Sequence, residues 1–214
     1  MSRYFTIIEE SVAEYEEKRS KFIATLRHCD TEAQAMAFID EMRSKYWDAR
    51  HNCFAYSVEE GKLSRFSDDG EPHGTAGKPI LDVILGNELK NVVIVVTRYF
   101  GGVLLGTGGL VRAYSTSAKE AVSKAQITEM IECTRFLIEC DYQNHQKLTY
   151  LIDNENGQID DTEFTDRVIV KVIFKDADIP GFLSKLTESF SAKIEAKELE
   201  KTIFPFKDKK NCNS

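Results

Sequence analysis

The chain has 214 residues, 42% of them hydrophobic and 29% charged, with a formal net charge of −7. These are globular values that exclude wholesale disorder, and no apolar run approaches the roughly 18 residues of a membrane-spanning helix. The acidic balance argues against a protein that coats nucleic acid nonspecifically, since affinity for phosphate backbones comes from many Lys and Arg contacts.

The first residues, Met1-Ser2-Arg3-Tyr4, lead into an acidic stretch with no apolar signal-peptide core. A cytoplasmic location without a membrane partner is therefore expected. Residues 4–10 and 17–27 read as strands. Thr31 reads as the cap of an amphipathic helix running to about Tyr46, and Trp47 follows as a core or subdomain anchor. His51 to Val58 alternates as a strand and pairs with Lys62 to Ser67 through the Glu60-Gly61 turn. Pro79 opens a short helix that Gly86 ends. Val92 to Thr97 is an unbroken apolar run, which suits a central strand buried on both faces. A helix of about 20 residues then runs from Thr107 or Gly108 to Gln126, with Leu110, Val111, Tyr114, Ala118, Ala121, Val122 and Ala125 as its stripe.

Beyond about Thr128 the pattern changes. Strands at 133–141, 157–165, 168–175 and 193–204 alternate with helices at 145–154 and 179–190, giving βαββαβ, the split βαβ or ferredoxin-like order. The fold class is α+β in two domains: 1–130 with the glycine-rich loops, and 131–206 ferredoxin-like, followed by a polar, frayed tail at 207–214. Cys29, Cys53, Cys133, Cys140 and Cys212 are odd in number and contain no Cys-x-x-Cys pair, so reduced, buried thiols are expected. Oligomeric state is not legible.

Two segments concentrate the glycines. Ser67 to Pro79 holds Gly70, Gly74 and Gly77; Thr97 to Arg112 holds Gly101, Gly102, Gly106, Gly108 and Gly109. Such density implies a backbone that bends sharply or approaches something closely. A glycine loop that opens a helix forms a concave donor site for anions, and Gly106-Thr107-Gly108-Gly109 fits that description. Arg98 and Arg112, with Lys78, are candidates to clamp a phosphate. The alternative is tight strand-to-helix packing, with Arg98 paired to Asp68, Asp69 or Glu71. Those three carboxylates are also candidate oxygen ligands for Mg²⁺, and no other cofactor or metal is implied. His73 is the acid–base candidate, whereas His51 and Cys53 share a strand face as a packed histidine and a buried thiol. A P-loop is rejected because Pro72 and Pro79 stand where it needs glycine and a hydroxyl; a dinucleotide fingerprint fails at Val111.

Three blocks carry a resemblance: Asp48 to Cys53; Phe66 to Pro72 with Gly74 to Pro79; and Thr97 to Gly102 with Leu105 to Tyr114. Together they resemble the IMPACT family, in its bacterial, YigZ-type form. The resemblance implies an N-terminal left-handed βαβ domain, shared with a small-subunit ribosomal protein, domain four of elongation factor G and the GHMP kinases. It also implies a C-terminal domain similar to domain five of that factor. Eukaryotic members are translational regulators that oppose an amino-acid-starvation kinase by occupying its activator, and no RWD module of the kind they use is read here. The family supplies no settled catalytic residues. Two functions follow: a noncatalytic, translation-associated binder of ribosome or RNA phosphate (or of another protein), or an enzyme or sensor for a small phosphorylated ligand or nucleotide with Mg²⁺.

Overall fold

The computed structural model describes residues 3–205, so the expected tail at 207–214, with Cys212, lies outside the described residues. The chain divides into two compact units, Tyr4–Glu129 and a second from Met130 onward that includes Arg3.

In the first unit, β1 (Arg3–Ile7) leads to an antiparallel sheet. Its members are β2 (Ser11–Glu17), β3 (Ser20–His28), β4 (His51–Val58), β5 (Leu63–Ser67) and β6 (Val92–Tyr99), in the order β2-β3-β6-β4-β5. Strand β6 is central, as its continuous apolar run requires. Its residues alternate between two cores. Val92, Ile94 and Val96 pack with α2 (Gly77–Gly86) and α3 (Gly106–Lys124), while Val93 and Val95 pack with α1 (Glu32–Lys45). Helix α1 begins at a capping box: Thr31 Oγ1 accepts from the Gln34 N–H, and the Gln34 side chain accepts from the Thr31 N–H.

The sequence reading missed a strand, β2, between those expected at 4–10 and 17–27. The first strand stops at Ile7 rather than residue 10, β2 begins at Ser11, and the second expected strand starts at Ser20 as β3. The inward face of β2 carries only Ser11 and Ala13 before Tyr15, while Val12, Glu14 and Glu16 point outward, so it lacks apolar alternation. Small inward residues suit it because α3 presents Ala118 and Ala121 there, and Ser11 Oγ donates to the Ala121 carbonyl at 2.8 Å. The β2–β3 turn is Lys18-Arg19, both at positive φ (47° and 66°), the conformation a two-residue hairpin needs but without the glycine that would announce it.

The second unit runs β7 (Ile127–Cys140), α4 (Tyr142–Asn154), β8 (Gln158–Phe164), β9 (Val168–Lys175), α5 (Ile179–Phe190) and β10 (Ala196–Pro205). Its strands pair antiparallel as β10-β7-β9-β8, the expected βαββαβ order. Phe136, Ile138, Val170, Val172 and Phe174 face the helices through Leu148, Phe182 and Leu186. No helix among the described residues is long and apolar enough to cross a membrane.

Gly101 shows why one glycine cluster is architectural. A Cβ there would sit 2.0 Å from the Arg19 carbonyl carbon and 2.4 Å from the Ser20 nitrogen, so β6 leaves the sheet in direct contact with the β2–β3 turn. Gly108 has open space around it. Gly101→Ala is expected to destabilise the protein by about 2–3 kcal/mol or more, whereas Gly108→Ala stabilises it by about 0.5–1 kcal/mol. Denaturant unfolding of the two variants checks this, and equal effects would contradict it.

Candidate functional site

The polar centre of the first unit lies where the apolar rows of the sheet end. Arg98 follows Val96 by two residues on β6 and so points to the α3 side. Its direct cross-strand neighbours are Phe22 on β3 and His51 on β4. This row faces Tyr114 of α3, whose ring meets Phe22 edge-on at 5.2 Å.

Arg98 is only 6% exposed. Its Nη1 donates to Glu71 Oε1 at 2.5 Å, and the Tyr114 hydroxyl donates to the same oxygen at 2.8 Å. Burial, then neighbouring Cys53 and Glu71, push the Tyr114 hydroxyl far above its ordinary pKa. His51 Nδ1–H donates to the Asp69 carbonyl at 2.7 Å, and its Nε2 lies 3.9 Å from Glu71 Oε1. The guanidinium lies 5.5 Å from the Phe22 ring and 5.6 Å from that of Phe100. Its Nε is buried with no hydrogen-bond partner.

The acidic loop is folded by its own carboxylates. Asp68 accepts from the backbone N–H groups of Gly74 (2.8 Å), Ala76 (3.0 Å) and Gly77 (2.9 Å). It thereby caps α2, which starts at Gly77 rather than Pro79 and has no cap of its own at Ala76. Burial works to raise the pKa of Asp68, but the N–H donors of Gly74, Gly77 and Ala76, with His73, outweigh it and hold the carboxyl below its ordinary 3.8. Asp69 accepts from the Asn52 N–H at 2.6 Å and lies 3.5 Å from Arg43.

The Mg²⁺ expectation for Asp68, Asp69 and Glu71 is thus corrected: each carboxylate faces protein donors. Among the described residues no group of three metal-binding side chains converges. Nor do Arg98 and Arg112 form a clamp. Arg112 is exposed on α3 two residues past Leu110, and its charge acts on the Tyr15 hydroxyl. Lys78 pairs with Asp82 on the outer side of α2, and the fully exposed His73 ring sits 3.8 Å from Asp68.

A cleft of about 460 Å³ opens over this centre. Arg98 and His51 line it together with Gly70, Glu71 and Pro72 of the first glycine segment, and Phe100, Leu104, Leu105, Gly106, Thr107 and Leu110 of the second, with Arg50. The two segments therefore do meet in space. Gly106 and Thr107 belong to the cleft, but Gly101, Gly102, Gly108 and Gly109 do not line it. Helix α3 starts there with no side-chain cap at Leu105, so its first N–H groups remain available as donors.

Sequence reading missed the exposed apolar side chains of this unit, of which Phe100 and Leu104 line the cleft and Trp47 does not. Trp47, read as an anchor, is 82% exposed, Leu104 is 83% exposed, and Phe100 is partly exposed. The Tyr99 hydroxyl, donating to Asp48 at 2.8 Å, ties the Trp47 segment to the end of β6. Nothing in an apolar residue's identity distinguishes these from core positions. Cys53 offers no nucleophile: its thiol donates to the Asp68 carbonyl at 3.0 Å, and burial pushes its pKa up despite the Tyr114 hydrogen bond. The four described cysteines are free and buried. A larger cavity, about 740 Å³, lies in the second unit beside His145, Tyr150 and Ile159 and holds no comparable convergence of charge.

Because the folded pKa of Asp68 is depressed, its stabilisation is complete above the ordinary 3.8 and is lost as pH falls through the folded value. Asp68→Asn should lower Tm at neutral pH, with the gap to wild type closing below about pH 4. A gap that stays constant on acidification contradicts the capping role.

The Impact N-terminal domain family matches residues 18–122, and a domain of unknown function (DUF1949) matches residues 138–193. The Escherichia coli IMPACT family member YigZ is 33% identical over 198 residues, covering 91% of this chain and 94% of that protein. A Dictyostelium discoideum protein named Protein IMPACT homolog is 32% identical over 123 residues, which is 55% of this chain and 35% of that one. A crystal structure of a hypothetical protein matches with a TM-score of 0.60 at 32% identity, covering 94% of this chain and 98% of the other. Near-complete coverage by relatives at this identity, across both units, places the chain in the IMPACT family.

Proposed function

We propose that the protein is a noncatalytic, translation-associated regulator that contacts RNA, on the ribosome or near it, through the cleft face of its first unit. The observation that carries this reading is the pairing of exposed aromatic side chains with a cationic cleft. Phe100 offers a stacking surface at the cleft and Trp47 another on the exposed surface of the same unit, while Arg50 and the uncapped start of α3 offer donors for phosphate. Single-stranded RNA is recognised by such a combination: bases stack on aromatic rings and the backbone follows positive charge. The IMPACT membership supports the link to translation.

The acidic net charge of −7 fixes the scale of the contact. A footprint of two or three phosphates gives a log–log salt slope of roughly −2, far shallower than that of a basic nucleic-acid-coating protein. The inward carboxylates fit the same picture: Asp68 and Asp69, held by backbone donors, do not line the cleft, and Glu71, which does, is paired with Arg98.

Ribosome co-sedimentation at low and moderate salt tests the reading. Wild type should associate in a salt-sensitive way, and Trp47→Ala/Arg50→Ala, which changes only exposed side chains, should lose most of that association while keeping its Tm. A wild-type protein that neither sediments with ribosomes nor binds single-stranded RNA would remove the proposal.

A further inference from the structure

The guanidinium of Arg98 is used on one side only. Nη1 is taken by Glu71, while Nε is buried with no partner, and among the described residues no hydrogen bond reaches Nη2. The Nε–Nη2 edge is the side on which arginine binds an oxyanion through two parallel hydrogen bonds. A buried donor without a partner is unfavourable, so an unpaired guanidinium edge on a residue that lines a cleft marks a place where a ligand would supply the missing acceptor. The cleft also contains the first turn of α3, where Gly106 and Thr107 are exposed and no side chain caps the helix. Two independent donor sets, one a buried side chain and one a helix start, thus line the same cavity.

The depth of Arg98 restricts what can reach it. It lies on the floor beside His51, with the Gly70–Pro72 loop, Phe100 with Leu104, and the start of α3 around it. A phosphodiester within a strand carries an ester arm on two sides and is read by cations at the surface. A residue that is 6% exposed suits a phosphate carried on one tether. The volume of about 460 Å³ exceeds what a phosphate needs, and Pro72, Phe100, Leu104 and Leu110 give the remainder apolar walls, so the group bearing the phosphate has a flat or apolar body.

We infer that the cleft is a receptor for a terminal phosphomonoester of a nucleoside, held by the free edge of Arg98 and the first turn of α3. The carrier is either the phosphorylated end of an RNA or a free nucleotide, and both present the same chemistry. The inference rests on the cleft reading above for its location, but it does not require RNA to be the carrier.

Fluorescence anisotropy and calorimetry with matched probes test it. The probes are a short oligoribonucleotide with a 5′-phosphate, with a 3′-phosphate and with hydroxyl ends, plus a nucleoside 5′-monophosphate and its nucleoside. At least one terminal phosphate should tighten binding tenfold or more over the hydroxyl form. Thr107→Glu should abolish that gain, since it places an acid in the cleft at an exposed first-turn position where the helix dipole tolerates it. Arg98→Lys, checked by Tm for folding, should reduce the gain by removing the two-pronged edge while keeping the charge. Equal binding of phosphorylated and hydroxyl RNA overturns the inference and leaves RNA binding intact. A nucleotide that binds in a phosphate-dependent way without RNA affinity supports the inference and removes the RNA reading. Failure of every probe overturns both.

Discussion

The contact between Arg98 and Glu71 is the constraint on which the first unit's cleft face depends. It joins the end of the central strand to the acidic glycine loop, 27 residues earlier in the chain, with both side chains nearly excluded from water. Such a pair is not a simple source of stability: desolvating two charges offsets most of their attraction, while removing one partner leaves the other buried and uncompensated at about 3–5 kcal/mol. Its value here is geometric. Glu71 also accepts from Tyr114 and sits near His51, so one carboxylate fixes α3, β4 and β6 relative to the loop. The cleft is the space left above that junction.

Around it, polar groups take structural work that would otherwise be mistaken for chemistry. Asp68 caps α2 from a distance, Asp69 binds the backbone of Asn52, and Cys53 is bonded within the interior. What remains unsatisfied is on the donor side, in the Arg98 edge and the start of α3. A site whose acids are internally matched and whose donors are open is suited to an anion. That asymmetry links the fold to the proposed ligand class.

Much of this was legible in the sequence. The continuous apolar run 92–97 required a strand buried on both sides, and Thr31 caps the helix it was expected to start. The glycine segments indicated close backbone approaches, and Gly101 packs against the Arg19 backbone as that density implied. Strand β2 was missed because its inward side chains are small and its turn uses Lys18 and Arg19 in place of glycine. Arg98 and Arg112 read as a clamp because one ends the central strand and the other sits in the first turns of the helix that follows, but the helical rotation between Leu110 and Arg112 separates them. Trp47 was read as buried because hydrophobicity indicates what can be buried, whereas exposure depends on which faces the tertiary fold leaves uncovered. Which of three carboxylates would meet Arg98 depended on loop geometry that no local pattern encodes.

The most direct test of the central constraint is a double-mutant cycle on Arg98 and Glu71, read by denaturant unfolding of wild type, Arg98→Met, Glu71→Gln and the double variant. Each single change should destabilise by about 3–5 kcal/mol. The double variant should fall short of their sum by about 2 kcal/mol or more, because removing the second charge relieves what the first removal left uncompensated. Effects that add within about 0.5 kcal/mol would contradict the account, since the two side chains would then be acting independently.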